Sequence, residues 1–148
     1  FLMLRRSTTS TLFSYTTLFR SYSRYFDRQL ELLEALKPKV VGHFDLVRIF
    51  DPAYEKHLAL PAVWERVERN LEFMRKEDLI LDLNVRALSK GAREPYVSAA
   101  VLSRALALGI PVVPGDDSHG VESVGKHVDT AIDLLGRLGA DLDWRRPL

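Results

Sequence analysis

Asp117 and His119 stand two residues apart in Pro111–Gly120, which reads Pro-Val-Val-Pro-Gly-Asp-Asp-Ser-His-Gly. In extended backbone, side chains at i and i+2 point to the same side. A carboxylate oxygen and an imidazole nitrogen brought together in this way can share a metal ion. The same Asp-Ser-His can also be read as an Asx-turn and helix cap. Both readings stand on these residues alone. A second stretch, Val40-Val41-Gly42-His43-Phe44-Asp45, repeats the pattern of a β-branched run, a glycine, then a histidine and an acid. His43 is either a ligand or a core or capping histidine. Arg48 and Arg86 are either surface arginines or bidentate phosphate donors. Ser89 and Lys90 could add a hydroxyl and an ammonium. His57 and His127 lie away from the strand ends and read as structural or exposed.

The elements that must position these residues follow from hydrophobic periodicity. A helix is expected over 23–37, with Phe26, Leu30, Leu33 and Leu36 at helical spacing and Pro38 as its stop. Another is expected over 61–77, with Pro61 near its start and Val63, Val67, Leu71 and Met74 on one face. Further helices are expected over 95–108, closed by Gly109, and over 122–138, closed by Gly139. Trp144 is expected to pack on the last helix. Strands are expected near 39–43, 79–84 and 111–115. Asp82 is anomalous, because an acid inside a buried apolar strand must reach solvent or find a partner. Strands alternating with helices predict an α/β fold with a parallel sheet. In such folds the polar residues just past each strand gather at one rim. Here they are His43 and Asp45, Asn84 and Arg86, and Asp117 and His119.

Composition sets the outer bounds. The 148 residues are 47% hydrophobic and 28% charged, with a net charge of +1 and no cysteine. A soluble globular domain with a real core is expected. Thiolate metal sites are excluded, so any metal must be held by His, Asp or Glu. Arg5, Arg6, Arg20 and Arg24 are the charged residues of the first 26 positions. Setting them aside leaves 17 basic against 20 acidic residues, a net of −3. A mildly acidic domain without a basic patch argues against nucleic acid. No apolar run reaches the roughly 18–20 residues of a membrane helix. Residues 1–22 are rich in Ser, Thr and Arg and begin with Phe1. They are read as a non-native or disordered leader that contributes no strand, and 23–148 as the folded unit.

Three segments carry a resemblance: Gly42-His43-Phe44-Asp45-Leu46-Val47-Arg48, then Leu81-Asp82-Leu83-Asn84-Val85-Arg86-Ala87-Leu88-Ser89-Lys90-Gly91, then Pro114-Gly115-Asp116-Asp117-Ser118-His119-Gly120-Val121. In order and spacing they resemble histidinol-phosphate phosphatases of the polymerase-and-histidinol-phosphatase (PHP) superfamily, the fungal-like members in particular. The likeness covers roughly residues 25–148.

The resemblance implies the C-terminal part of a distorted (β/α)7 PHP barrel. In the complete enzyme it implies a trinuclear cluster of divalent ions (Zn, Mn or Fe). It makes His43, Asp117 and His119 metal ligands, Asp117 and His119 the catalytic pair, and Arg48, Arg86, Ser89 and Lys90 phosphate-binding residues. The implied reaction is hydrolysis of L-histidinol phosphate, a small phosphorylated amino-alcohol, in the cytoplasm, with no nucleic acid or membrane involved. The alternatives are another PHP phosphoesterase and a non-catalytic half-barrel. The family's opening His-x-His strand is missing, since no histidine precedes His43. The expectation is therefore a truncated chain, inactive or nearly so alone.

Overall fold

Phe19, Tyr22, Phe26 and Leu33 recur at spacings of three, four and seven residues, the signature of one buried helical face. The computed structural model, which describes the backbone of residues 8–144 and the side chains of 16–144, places them on α1, Thr8–Leu36. Tyr22, Phe26 and Leu33 are core residues, and Phe19 and Tyr25 pack against them. The helix expected over 23–37 therefore starts earlier. The expectation of disorder over 1–22 is corrected for residues 8–22, which are helical; residues 1–7 lie outside the described residues. The physical reason is that the apolar phase of the helix continues upstream, between the serines and threonines, through Phe19 and Tyr22.

The three expected strands form in the expected order. β1 is Val40–Val41, β2 is Ile80–Asn84 and β3 is Val112–Gly115. They make one sheet, β1-β2-β3, parallel throughout. The register sets Val41 against Leu81 and Leu81 against Val112. Those three side chains, with Leu83, enter the core beneath the helices. By alternation, Ile80, Asp82 and Asn84 stand on the opposite face.

Between the strands run α2, Tyr54–Leu58, α3, Pro61–Lys76, α4, Arg86–Ser89, and α5, Ala99–Ala107. α3 matches its expectation closely, with Pro61 in its first turn and Val63, Val67, Leu71 and Met74 fully buried. It packs on α1 through these apolar residues. Asn70 adds a polar tie, donating from Nδ2 to the Phe26 carbonyl at 2.8 Å and to Gln29 Oε1 at 3.0 Å. α5 begins four residues later than expected. The reason is that Tyr96 N–H donates to the Asn84 carbonyl at 2.8 Å, an isolated antiparallel bridge that keeps this segment beside β2 rather than helical. The last helix also starts late: α6 is Val128–Arg137. A 3-10 turn at Val121–Ser123 precedes it, and Gly125 and His127 take positive φ of 74° and 65°, which interrupts the helix. Trp144, expected on the last helix, is half-buried against the core. No helix among the described residues is long and apolar enough to cross a membrane.

A clamp fastens α1 to the segment after β1. The Tyr22 hydroxyl donates to Asp51 Oδ2 at 2.8 Å, and His57 Nδ1 lies 2.6 Å from the same oxygen. Ala53 N–H donates to Asp51 Oδ1 at 3.0 Å. Burial acts to raise the Asp51 pKa, but the hydrogen bonds from His57, Tyr22 and Ala53 outweigh it and hold the pKa below the ordinary value. Asp51→Ala strands these donors in a half-buried site. It should cost roughly 1–3 kcal/mol at pH 7, measured by urea denaturation. A carboxylate whose pKa is depressed by folding contributes stability above its unfolded pKa and loses it as pH falls. The gap between wild type and variant should therefore shrink below about pH 4.

Candidate active site

Three parallel strands end at one rim, and the backbone turns sharply there. Gly42 follows β1, and His43 then takes φ 53°. Asp117, two residues past β3, takes φ 46°. Histidine and aspartate are among the residues that tolerate this left-handed conformation best. The turns swing the two side chains toward each other across the sheet, His43 Nε2 lying 3.6 Å from Asp117 Oδ2. Asp116 organises the loop. Its carboxylate accepts from Ser118 N–H at 3.2 Å and from Gly125 N–H. Hydrogen bonding by Gly125, ahead of the contacts with Ser118, keeps its pKa low. The two neighbouring aspartates thus divide the two sequence readings between them: Asp116 makes the Asx-turn, and Asp117 faces the rim.

The carbonyl of Asp117 is a second focus. Arg86 Nη1 donates to it at 2.8 Å, and His119 Nδ1 lies 2.8 Å from it. A carbonyl can only accept, so Nδ1 of His119 donates to it, and in the neutral ring that leaves the lone pair on Nε2. A backbone carbonyl on Nδ1 fixes the ring of His119 with Nε2 facing outward from that contact. Asp117 and His119 are close, with Nδ1 3.9 Å from Oδ1. The extended i, i+2 geometry does not bring this about, because Asp117 is left-handed.

Two ligands at about 2.1 Å from a tetrahedral ion lie about 3.4 Å apart. The 3.6 Å between His43 Nε2 and Asp117 Oδ2 matches that bite. A closed set does not form: among the described residues, no group of three or more His, Asp or Glu side chains converges on one point. His43 and Asp117 thus bring one nitrogen and one oxygen donor together at the rim, with His119 beside them.

Asp82 is the residue that the site assignment left out, although its anomaly was visible in the sequence. It sits on the central strand with Gly42 and Gly115 on either side, and a Cβ on Gly115 would collide with its carboxylate. The bare backbone of the two flanking strands leaves the room it occupies. Burial raises its pKa, and the charges of Asp117 and Asp116 add to the rise, while His43 and a hydrogen bond with Asn84 oppose it. Tyr96 was also missed. Its ring stacks on His43 with centroids 5.3 Å apart and planes 26° apart.

Arg48 is buried, and it lines one cavity with Lys90 and Tyr96. Its side chain is 8% exposed and lies in a salt network, 3.2 Å from Asp45 Oδ2 and 2.8 Å from Glu94 Oε1. It donates to the Pro95 carbonyl at 2.7 Å, and its guanidinium stacks over Tyr54. Arg48, expected as a phosphate-binding residue, has its guanidinium engaged by these partners, which tie neighbouring loops together. Arg86 stands against Asp117 instead. Ser89 and Lys90 end α4 in exposed positions, and Lys90 Nζ donates to the Tyr96 hydroxyl at 3.2 Å.

No family model matches the chain. It is 33% identical over 117 residues to the "Probable histidinol-phosphatase" of Schizosaccharomyces pombe, covering 78% of this chain and 38% of that protein. It is 32% identical over 123 residues to the histidinol-phosphatase of Saccharomyces cerevisiae, covering 68% of this chain and 37% of that one. The chain is histidinol-phosphatase-like. A crystal structure from Listeria monocytogenes, of a protein provisionally assigned as a histidinol phosphatase, superposes with a TM-score of 0.56 at 28% identity. That match covers 78% of this chain and 43% of the other. The histidinol-phosphatase-like chain thus spans well under half the length of each relative. Its small parallel sheet with flanking helices is consistent with part of a barrel.

The raised pKa of Asp82 has a measurable sign. A carboxyl whose folded pKa exceeds its unfolded pKa stabilises fully below the unfolded value and loses that contribution as pH rises through the folded one. In chelator-treated protein, Asp82→Asn should therefore raise Tm at pH 7 relative to wild type. The gain should vanish as pH falls toward 4, in paired calorimetric scans.

Proposed function

We propose that this chain supplies part of the catalytic rim of a divalent-metal-dependent phosphomonoesterase. The substrate is L-histidinol phosphate, and the products are L-histidinol and phosphate, in cytoplasmic histidine biosynthesis. The observation that carries the reading is the meeting of His43 and Asp117 across the sheet at an ion's bite, with Arg86 anchored on the same Asp117. The relatives' names support the substrate.

In this reading His43 and Asp117 would hold a divalent ion, and His119 would offer Nε2 as a further donor. When bound, divalent ions neutralise phosphate charge and acidify a water molecule. The remaining work falls to the protein. The water oxygen forms a bond to phosphorus, the bond to the histidinol oxygen breaks, and a proton passes to that oxygen as it leaves. Arg86, on the Asp117 carbonyl, presents its guanidinium where peripheral phosphate oxygens would lie. Lys90, at the Tyr96 hydroxyl, adds positive charge at the same side. Charge held in place before the reaction stabilises the transition state without reorganisation.

The small number of donors also favours incompleteness. A cluster of several ions needs more ligands than the described residues bring together. We infer that residues from elsewhere in a longer polypeptide complete it, and that the 148-residue chain alone hydrolyses little or no substrate.

Both halves of the proposal are open to one assay of phosphate release. The isolated chain with Mn2+ should stay at background. A chimera in which it replaces the aligned residues of the S. cerevisiae histidinol-phosphatase should be active. In the chimera, Asp117→Ala should lower kcat/KM by at least about 100-fold, since a lost ligand disturbs the reacting centre. Full activity of that variant would defeat the site assignment, and turnover by the isolated chain would defeat the incompleteness. Arg86→Ala should chiefly raise KM, with Arg86→Lys recovering part of the loss.

A further inference from the structure

The segments that follow β1 and β2 enclose a cavity of about 910 Å³, a volume suited to a small molecule. It adjoins the rim through Lys90 and Tyr96, which line it. The Tyr96 ring stacks on His43, and its hydroxyl accepts from Lys90 Nζ. α4, whose first residue Arg86 donates to the Asp117 carbonyl, contributes Ala87 to the wall.

Six lining side chains carry charge: Arg48, Lys90 and Arg93 against Asp51, Glu55 and Glu94. Three of them are committed to the wall itself. Arg48 pairs with Glu94 at 2.8 Å and with Asp45. The Tyr54 hydroxyl donates to the same Glu94, and its ring lies under the Arg48 guanidinium. Asp51 is held by Tyr22 and His57. These contacts fix the wall and offset its charge. Glu55, Lys90 and Arg93 remain, with no ion pair among the described residues. The open charge is therefore two cations and one carboxylate. The same lining holds an apolar surface open to water, with Phe50 92% exposed and Ile49 beside it. An aromatic ring gains by covering its face with a flat partner.

We infer that this cavity is the subsite for the organic half of the substrate and that Glu55 is its specificity-determining residue. Glu55 takes the ammonium group, Phe50 meets the imidazole, and Lys90 and Arg93 oppose the phosphate end. The inference rests on the phosphomonoesterase reading above. L-Histidinol phosphate complements the open charge of the cavity: its phosphate carries about two negative charges at neutral pH, and its ammonium one positive. An ester without the ammonium leaves Glu55 unpaired in the presence of a phosphate of like charge. The cavity thus selects by attraction and by repulsion together.

The test titrates the 148-residue chain, in chelator so that no metal contributes, with L-histidinol phosphate and with 2-phenylethyl phosphate, followed by NMR shifts. The second ester keeps a phosphate and a ring and lacks the ammonium. L-Histidinol phosphate should bind about fivefold tighter, the scale of one partly solvated ion pair. Glu55→Gln should erase that preference by weakening L-histidinol phosphate, and Glu55→Asp should keep part of it. Phe50→Ala should weaken both esters. An equal loss for both esters in Glu55→Gln, an unchanged preference, or no binding of either ester at millimolar concentration overturns the inference. In the chimera, Glu55→Gln should raise KM for L-histidinol phosphate more than it lowers kcat. If Asp117→Ala abolishes turnover there while Glu55→Gln leaves KM unmoved, the subsite is lost and the phosphomonoesterase reading survives. If the chain binds selectively through Glu55 but the Asp117→Ala chimera keeps full activity, the subsite stands and the assignment of the catalytic rim falls.

Discussion

Parallel pairing of β2 with β1 and β3 puts the C-terminal ends of three strands side by side, and the register fixes what meets there. Gly42, Asp82 and Gly115 become neighbours on one face, and His43 and Asp117 leave the sheet at the same level. A shift of one residue in β2 would turn Asp82 into the core and Leu81 or Leu83 out of it. The hydrophobic set under the helices therefore guards the geometry of the polar rim on the opposite side. Packing of α1 and α3 against that set is, in this sense, part of the site.

The rim is not a relaxed structure. His43, Val97 and Asp117 all take positive φ, and such residues cost on the order of 1–3 kcal/mol each, less where the side chain is His or Asp. The surrounding contacts must over-determine them. Asp45, 1% exposed, and Arg48 do this for Val97 by gripping Pro95 and Ser98. Arg86 and His119 do it for Asp117 by converging on its carbonyl. A buried ion pair contributes little net stability compared with a hydrophobic replacement. The Asp45–Arg48 pair is better understood through the loop geometry it enforces.

Much of the fold was legible because the core pattern is periodic. Val63, Val67, Leu71 and Met74 announced α3, and the short β-branched runs announced three parallel strands. Where periodicity was masked or interrupted, the boundaries moved. The serines and threonines before residue 22 hid a helical phase that Phe19 and Tyr22 continue. Gly125 and His127 broke a helix whose apolar positions ran on in register. For the site, residue type and position past a strand identified the rim members His43, Asp117, His119 and Arg86. They did not reveal that Arg48 would find Glu94, because a partner 46 residues away is set by tertiary packing. Asp82 stood out as an unexplained charge, but the glycines that make room for it lie on other strands.

That fit between Asp82 and Gly115 ties the two positions together beyond their separate roles. Any side chain at position 115 must enter the space of the Asp82 carboxylate, so each residue decides what the other can become. Substitutions at the two sites cannot be additive, since they share one volume. A lineage carrying aspartate at 82 can keep only glycine at 115 without rearrangement. One that first shortened residue 82 would be free to fill 115, and would then find the way back closed. The contact between these two strands therefore makes the positions epistatic on steric grounds alone.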